Sequence, residues 1–165
     1  MWNKEEIPVI PYPRGKFFED YQVGQEFATH GRTITEADVH SFGALTGDFN
    51  PLHFDEEYAK QSPFKVRIPH GLCTVSIATG LIDRLGVLPG TALACLEIHW
   101  KFFSPVLMGD TIRVIMKVVD KKESSKGDRG IVAFEMPVFN QKEEKVNEGF
   151  WKLMIAKRNY FEMKK

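Results

Sequence analysis

Cysteine is scarce in this chain of 165 residues: there are two, Cys73 and Cys95, in apolar stretches and without the C-x-x-C spacing of a zinc or redox site. That scarcity excludes a disulfide framework, and both are expected to be reduced core thiols. An excess of charge is also lacking, since 22 Lys and Arg balance 22 Asp and Glu. No strong field favours nucleic acid or an anionic membrane surface, so neither is expected as a partner. Long hydrophobic runs are missing as well. The uncharged run from Gly71 to Ile82 stops well short of the roughly 20 residues that span a bilayer. No apolar leader opens the chain, because Asn3, Lys4, Glu5 and Glu6 interrupt it and Pro8, Pro11 and Pro13 follow; a cytoplasmic location is expected.

What is present suits one domain, for which about 150 residues is the usual scale. Apolar residues make up 43% of the chain, enough to bury a core without a metal or disulfide staple. Residues 1–16 read as an extended arm, because proline fixes φ and removes a donor, and residues 17–165 as the domain. Gln25 to Ile34 is rich in strand formers. A helix follows at once: Thr35 can cap it, Asp38 completes a capping box, and Ile34 with Val39 has the spacing of a hydrophobic staple. It ends near Gly47. After a proline-containing loop, Asp55 can cap a short helix that stops before Pro63.

The segment from His70 to Leu85 carries no charge until Asp83. A helix apolar nearly all round is expected to be buried nearly all round, with Gly86 and Pro89 as its stop. The period then changes to two. Ala92, Ala94, Leu96, Ile98, Trp100 and Phe102 line one face of a long strand, expected to be its core face, while Glu97, His99 and Lys101 fall on the other as a solvated polar set. Ile112, Val114, Met116 and Val118 alternate likewise, and Gly130–Asn140 and Lys145–Arg158 supply two more strands after the polar turn 123–129. Pro137 should place its strand at an edge or a bulge. The order is α+β with an antiparallel sheet, and a sheet that covers such a helix must curl around it. Apolar residues on the second strand face point to a covering subunit or to two-faced packing within one chain.

Two constellations carry chemistry. In Thr46-Gly47-Asp48-Phe49-Asn50-Pro51-Leu52-His53, a loop between helices can bend Asp48 and His53 toward one point, where a carboxylate and an imidazole could hold a water and pass protons, with Asn50 orienting either. Gly-Asp and Asn-Pro are also common turn dipeptides whose side chains bond their own backbone. In Pro69-His70-Gly71, a helix N-terminus offers unpaired N–H groups and a close backbone approach, suited to an oxygen that gains negative charge; tight packing is the alternative role for Gly71. No histidine spacing suggests a metal.

The run Phe42 to His53, then Asp55, Tyr58 and Ala59, then Ile68-Pro69-His70-Gly71-Leu72, resembles the MaoC-like family of (R)-specific enoyl-CoA hydratases and 3-hydroxyacyl-CoA dehydratases. Its specific signature is Gly-Asp-x-Asn-Pro-x-His, and Phe102 to Thr111 extends the likeness. The resemblance implies a hot-dog fold, a curled antiparallel sheet around one long helix, as a homodimer or higher homo-oligomer. It implies catalytic Asp48 and His53 with supporting Asn50, an oxyanion donor at the Gly71 N–H, and substrate-binding His70 and Thr79. The substrate would be an acyl-CoA thioester, with no further cofactor and no metal. Open alternatives are dehydration of carrier-bound 3-hydroxyacyl chains, hydration of a mesaconyl-type thioester, and a non-catalytic acyl-thioester binding module.

Overall fold

Local signals at helix starts act as the sequence suggests. In the computed structural model, which describes residues 15–161, helix α1 (Glu36–Thr46) is capped by Thr35, whose hydroxyl accepts from the Asp38 N–H while an Asp38 oxygen accepts from the Thr35 N–H. Ile34 and Val39, the staple, are fully buried. Gly47 ends α1 at φ +77°, a left-handed turn that costs glycine no Cβ clash. Asp55 caps α3 (Glu56–Gln61) by accepting from the Tyr58 N–H. The loop expected between them contains one more turn, α2 (Pro51–Phe54), because Pro51 stands at its first position, where no N–H is needed, and Asn50 caps it.

The long helix α4 runs Gly71–Asp83. Its burial is less complete than its apolar composition suggests: Cys73, Val75, Ala78, Leu81 and Ile82 are buried, whereas Leu72, Ser76, Gly80 and Asp83 form an exposed stripe at helical spacing. The buried side packs on the sheet against Ile112, Val114, Met116 and Val118 and their neighbours. Each such large apolar side chain is worth about 1.5–3 kcal/mol on full burial.

The strand predicted over Gln25–Ile34 is broken. Strands β1 (Glu26–Ala28) and β2 (Arg32–Thr33) both pair antiparallel with β4, and between them the Thr29 hydroxyl accepts from the Val114 N–H in place of a backbone carbonyl. Strands β3 (Ala92–Phe102), β4 (Thr111–Glu123), β5 (Arg129–Phe139) and β6 (Lys145–Ala156) complete an antiparallel sheet of order β1-β4-β5-β6-β3, with β2 on β4. Strand β4 alternates buried and half-buried residues as expected.

Three expectations about the sheet need correction. Strand β3 is an edge and has little core face: Leu96, Ile98 and Phe102 are exposed, and only Trp100 of that row packs on the core. Its alternation also slips, since irregularities at Ala92/Ala94 and Cys95/Glu97 bring Cys95, not Ala94 or Leu96, opposite buried Leu153. Cys95, expected as a core thiol, is exposed even so because β3 is the sheet's edge, with its sulfur accepting from the Trp151 indole N–H, while Cys73 is buried. Pro137, expected at an edge or a bulge, sits in the interior strand β5 and not at an edge; a register shift toward β6 at Val138/Phe139 lies beside it, and the pairing with β4 is interrupted at Met136 and Pro137. Glu97 and His99 form the expected exposed pair, and Lys152 joins them; these hydrogen bonds hold the Glu97 carboxyl below its usual range.

Of the arm assigned to residues 1–16, all but Gly15 and Lys16 lies outside the described residues. Those two donate backbone bonds to Pro89 and Val87. No helix among the described residues is long and apolar enough to cross a membrane.

Candidate active site

Each polar residue of the Gly-Asp-x-Asn-Pro-x-His run first has a local structural task. The Thr46 hydroxyl donates to the Phe42 carbonyl and accepts from the Asp48 N–H. Asp48 Oδ1 accepts from the Asn50 N–H at 3.2 Å, and Asn50 Oδ1 accepts from the Leu52 N–H at 3.0 Å. These bonds fold residues 46–53 tightly enough that α2 turns His53 back toward Asp48. Gly43 permits the packing, because a Cβ there would lie 2.5 Å from the Phe54 ring. Arg67 ties the outer elements together, pairing with Glu36 on α1 and Glu56 on α3, and these bonds raise its already high affinity for the proton.

Asp48, His53 and His70 each offer a ligating atom within 4.8 Å of the others. Asp48 is half-exposed, while His53 and His70 are buried. His53 Nδ1 lies 2.7 Å from the Ile68 carbonyl, so it carries a proton and donates, and in the neutral ring Nε2 holds the lone pair. His70 Nε2 lies 2.9 Å from the Asp48 backbone carbonyl, which requires an N–H there and leaves Nδ1 as an acceptor. The two imidazoles stack at 3.9 Å between centroids, with Phe42 and Phe54 against His70. His70 thus braces the Asp48 loop from the start of α4. It is the N-cap residue of α4 but makes no side-chain cap bond, so the first N–H groups, Gly71 included, face outward.

Gly71 opens onto a cavity of about 320 Å³ bounded by Thr74, Phe102, Phe103, Val106 and Asn147. Asn147 on β6 is a lining residue that the sequence reading passed over; the signal was a lone amide in the inward row 147, 149, 151, 153, 155. Thr79 is not brought to this cluster along the helix: it lies about 12 Å of helix rise beyond Gly71, and its hydroxyl donates to the Ser76 carbonyl. A second cavity of about 410 Å³ lies between α1 and α4, from Arg32 and Asp38 past Phe42 and Cys73 to Arg84. There the half-buried Asp38 carboxyl, though raised by desolvation, is held lower overall by hydrogen bonds from Thr35 and Arg32. Burial and Asp38 together push the Cys73 thiol up.

The Asp48/His53/His70 set has the donor chemistry of a divalent-cation site: one nitrogen of each imidazole is engaged by a backbone carbonyl, which leaves His53 Nε2 and His70 Nδ1. The Asp48 carboxylate and the His53 nitrogen, beside a helix N-terminus, can equally hold one water and move its protons while unpaired N–H groups meet an oxyanion.

An antiparallel sheet curled on one helix, with this cluster at the helix N-terminus, defines a hot-dog protein. The same fold is seen in a Mycobacterium tuberculosis protein described as a double hot-dog, with a TM-score of 0.77 at 19% identity over 87% of this chain and 44% of that one. Residues 19–137 match the MaoC-like domain, and the chain belongs to that family. It is 35% identical over 102 residues to the (R)-specific enoyl-CoA hydratase of Rhodospirillum rubrum, covering 62% of this chain and 69% of that enzyme. It is 38% identical over 118 residues, 72% of this chain, to protein MaoC of Klebsiella aerogenes, of which it spans only 34%. Among solved structures, a monoamine oxidase regulatory protein from Archaeoglobus fulgius superposes with a TM-score of 0.82 at 34% identity, covering 87% of this chain and 96% of that one.

Proposed function

We propose that the protein adds water across the double bond of trans-2-enoyl-CoA thioesters to give (R)-3-hydroxyacyl-CoA, or runs the reverse dehydration. The observation that carries this reading is the His53 imidazole, pinned through Nδ1 to Ile68 with Nε2 free, within reach of the Asp48 carboxylate and beside the Gly71 helix terminus. Asp48 and His53 Nε2 hold one water. As its oxygen bonds to Cβ, the water loses a proton to this pair, and the π electrons move to the thioester oxygen. The Gly71 N–H stabilises that enolate, which collapses as the proton is delivered to Cα from the same face. The balance is one water added, with nothing oxidised or reduced. The named hydratase relative and the shared motif support the substrate class.

The exposed apolar row on the β3 edge, Leu96, Ile98 and Phe102, supports a homodimer, since an unpaired strand with such residues invites a second copy. The reading is tested by following loss of conjugated enoyl-thioester absorbance with crotonyl-CoA. Asp48→Asn and His53→Ala should each lower kcat by about 10²- to 10⁴-fold. Turnover that survives both substitutions removes the assigned pair.

A further inference from the structure

Asn147 is out of keeping with its surroundings. It lies on the inner face of the sheet, in register with buried Val138 on one side and Phe102 on the other, and is 1% exposed. Among the described residues, neither its Oδ1 nor its Nδ2 has a hydrogen-bond partner. Buried amides in folded proteins are almost always paired, and leucine would fill the same volume without loss of hydration. Asn147 lies in the wall of the cavity of about 320 Å³ that Gly71 opens onto, together with Thr74, Phe102 and Val106, its two amide atoms not themselves exposed. A donor and an acceptor, held rigidly on a strand in the wall of an apolar cavity, form the polar fixture by which such pockets select among ligands.

We propose that Asn147 is a specificity residue that hydrogen-bonds an oxygen on the acyl chain, so that the preferred thioesters carry a hydroxyl-bearing chain and not a plain hydrocarbon one. A hydroxyl fits both orphan atoms, donating to Oδ1 and accepting from Nδ2. The thioester part of this statement rests on the hydratase reading; the polar subsite rests on Asn147 and its cavity alone. A site built around such a bond rejects the analogue that lacks the partner, because the amide is then left unpaired.

The test is calorimetric binding of saturated thioesters, which needs no turnover: hexanoyl-CoA beside its analogues hydroxylated at each of the last three carbons. The wild type should bind at least one hydroxylated analogue about tenfold more tightly than hexanoyl-CoA. In Asn147→Leu that preference should vanish or reverse, while the melting temperature holds or rises, because an unpaired amide is removed. A merely structural Asn147 would lower it. Hexanoyl-CoA bound as well as every analogue by the wild type, or a preference retained in Asn147→Leu, overturns the proposal. Turnover of crotonyl-CoA and of the 2-enoyl counterpart of the tightest-binding hydroxylated chain, measured in parallel, separates the two readings. Selectivity without turnover keeps the subsite and removes the hydratase; turnover without selectivity does the opposite.

Discussion

Replacing Gly71 with alanine separates the chemistry of the helix terminus from its packing. An added Cβ would lie 3.1 Å from both Cε1 and Cζ of the Phe102 ring, closer than comfortable contact, but that ring borders the cavity and need give by only a few tenths of an ångström. Alanine is also the better helix former, by up to about 1 kcal/mol. The two effects oppose, so stability should change by no more than about 1 kcal/mol, or roughly 2–4 °C in Tm for a domain of this size. Activity should respond differently. Alanine keeps the backbone N–H, so any loss of rate reports a blocked approach and not a lost donor. On the proposed mechanism the methyl, pointing at the Phe102 wall of the cavity, narrows the path of the thioester oxygen to the Gly71 N–H, and a fully blocked donor would lower kcat/KM by about 10²- to 10³-fold. Thermal melts paired with crotonyl-CoA turnover give both numbers. A kcat/KM within threefold of the wild type at unchanged Tm refutes the reasoning that a methyl at position 71 closes the approach to this N–H, and a collapse in Tm refutes the argument that Phe102 can yield.

Two further outcomes follow from the same geometry. The Asp38 carboxyl is held below its usual value in the folded chain, so its stabilisation is present above the unfolded value near 4 and is lost as pH falls through the lower folded one. Thr35→Ala, which removes the cap and a donor to Asp38, should cost about 0.5–2 kcal/mol near neutral pH. Its deficit in Tm against the wild type should narrow at about pH 3, and a gap that does not change with pH contradicts the linkage. Gly149→Ala should destabilise by about 1–3 kcal/mol or more in denaturant titrations, because its Cβ would fall 2.2 Å from the Trp100 ring and 2.9 Å from Met136 Cε. A neutral result would show that Trp100 has room to swing out.

What the sequence settled by itself was local and periodic. Thr35 with Asp38, Gly47 and Asp55 are signals read within one turn of chain, and they start and stop helices where expected. The alternation of Ile112 to Val118 assigns a strand and its buried face together. The Asp48 to His53 run is also legible, because its spacing and its turn residues lie within eight positions. What tertiary structure decided depends on partners distant in the chain. Strand β3 had the pattern of a core strand, yet as the sheet's edge it has a neighbour on one side only, and its irregularities shift which residues face inward. Pro137 had the mark of an edge or a bulge; its strand is interior, and the irregularity falls beside it, where the β6 register shifts at Val138/Phe139. His70, singled out for substrate, is turned by the packing of α4 onto the Asp48 carbonyl, and Thr79 on the same helix bonds its own backbone. Asn147 is the sharpest case: the sequence shows an amide in a strand, and only the folded sheet shows it buried, unpaired and in the wall of the cavity, because burial is set by every other element of the fold at once.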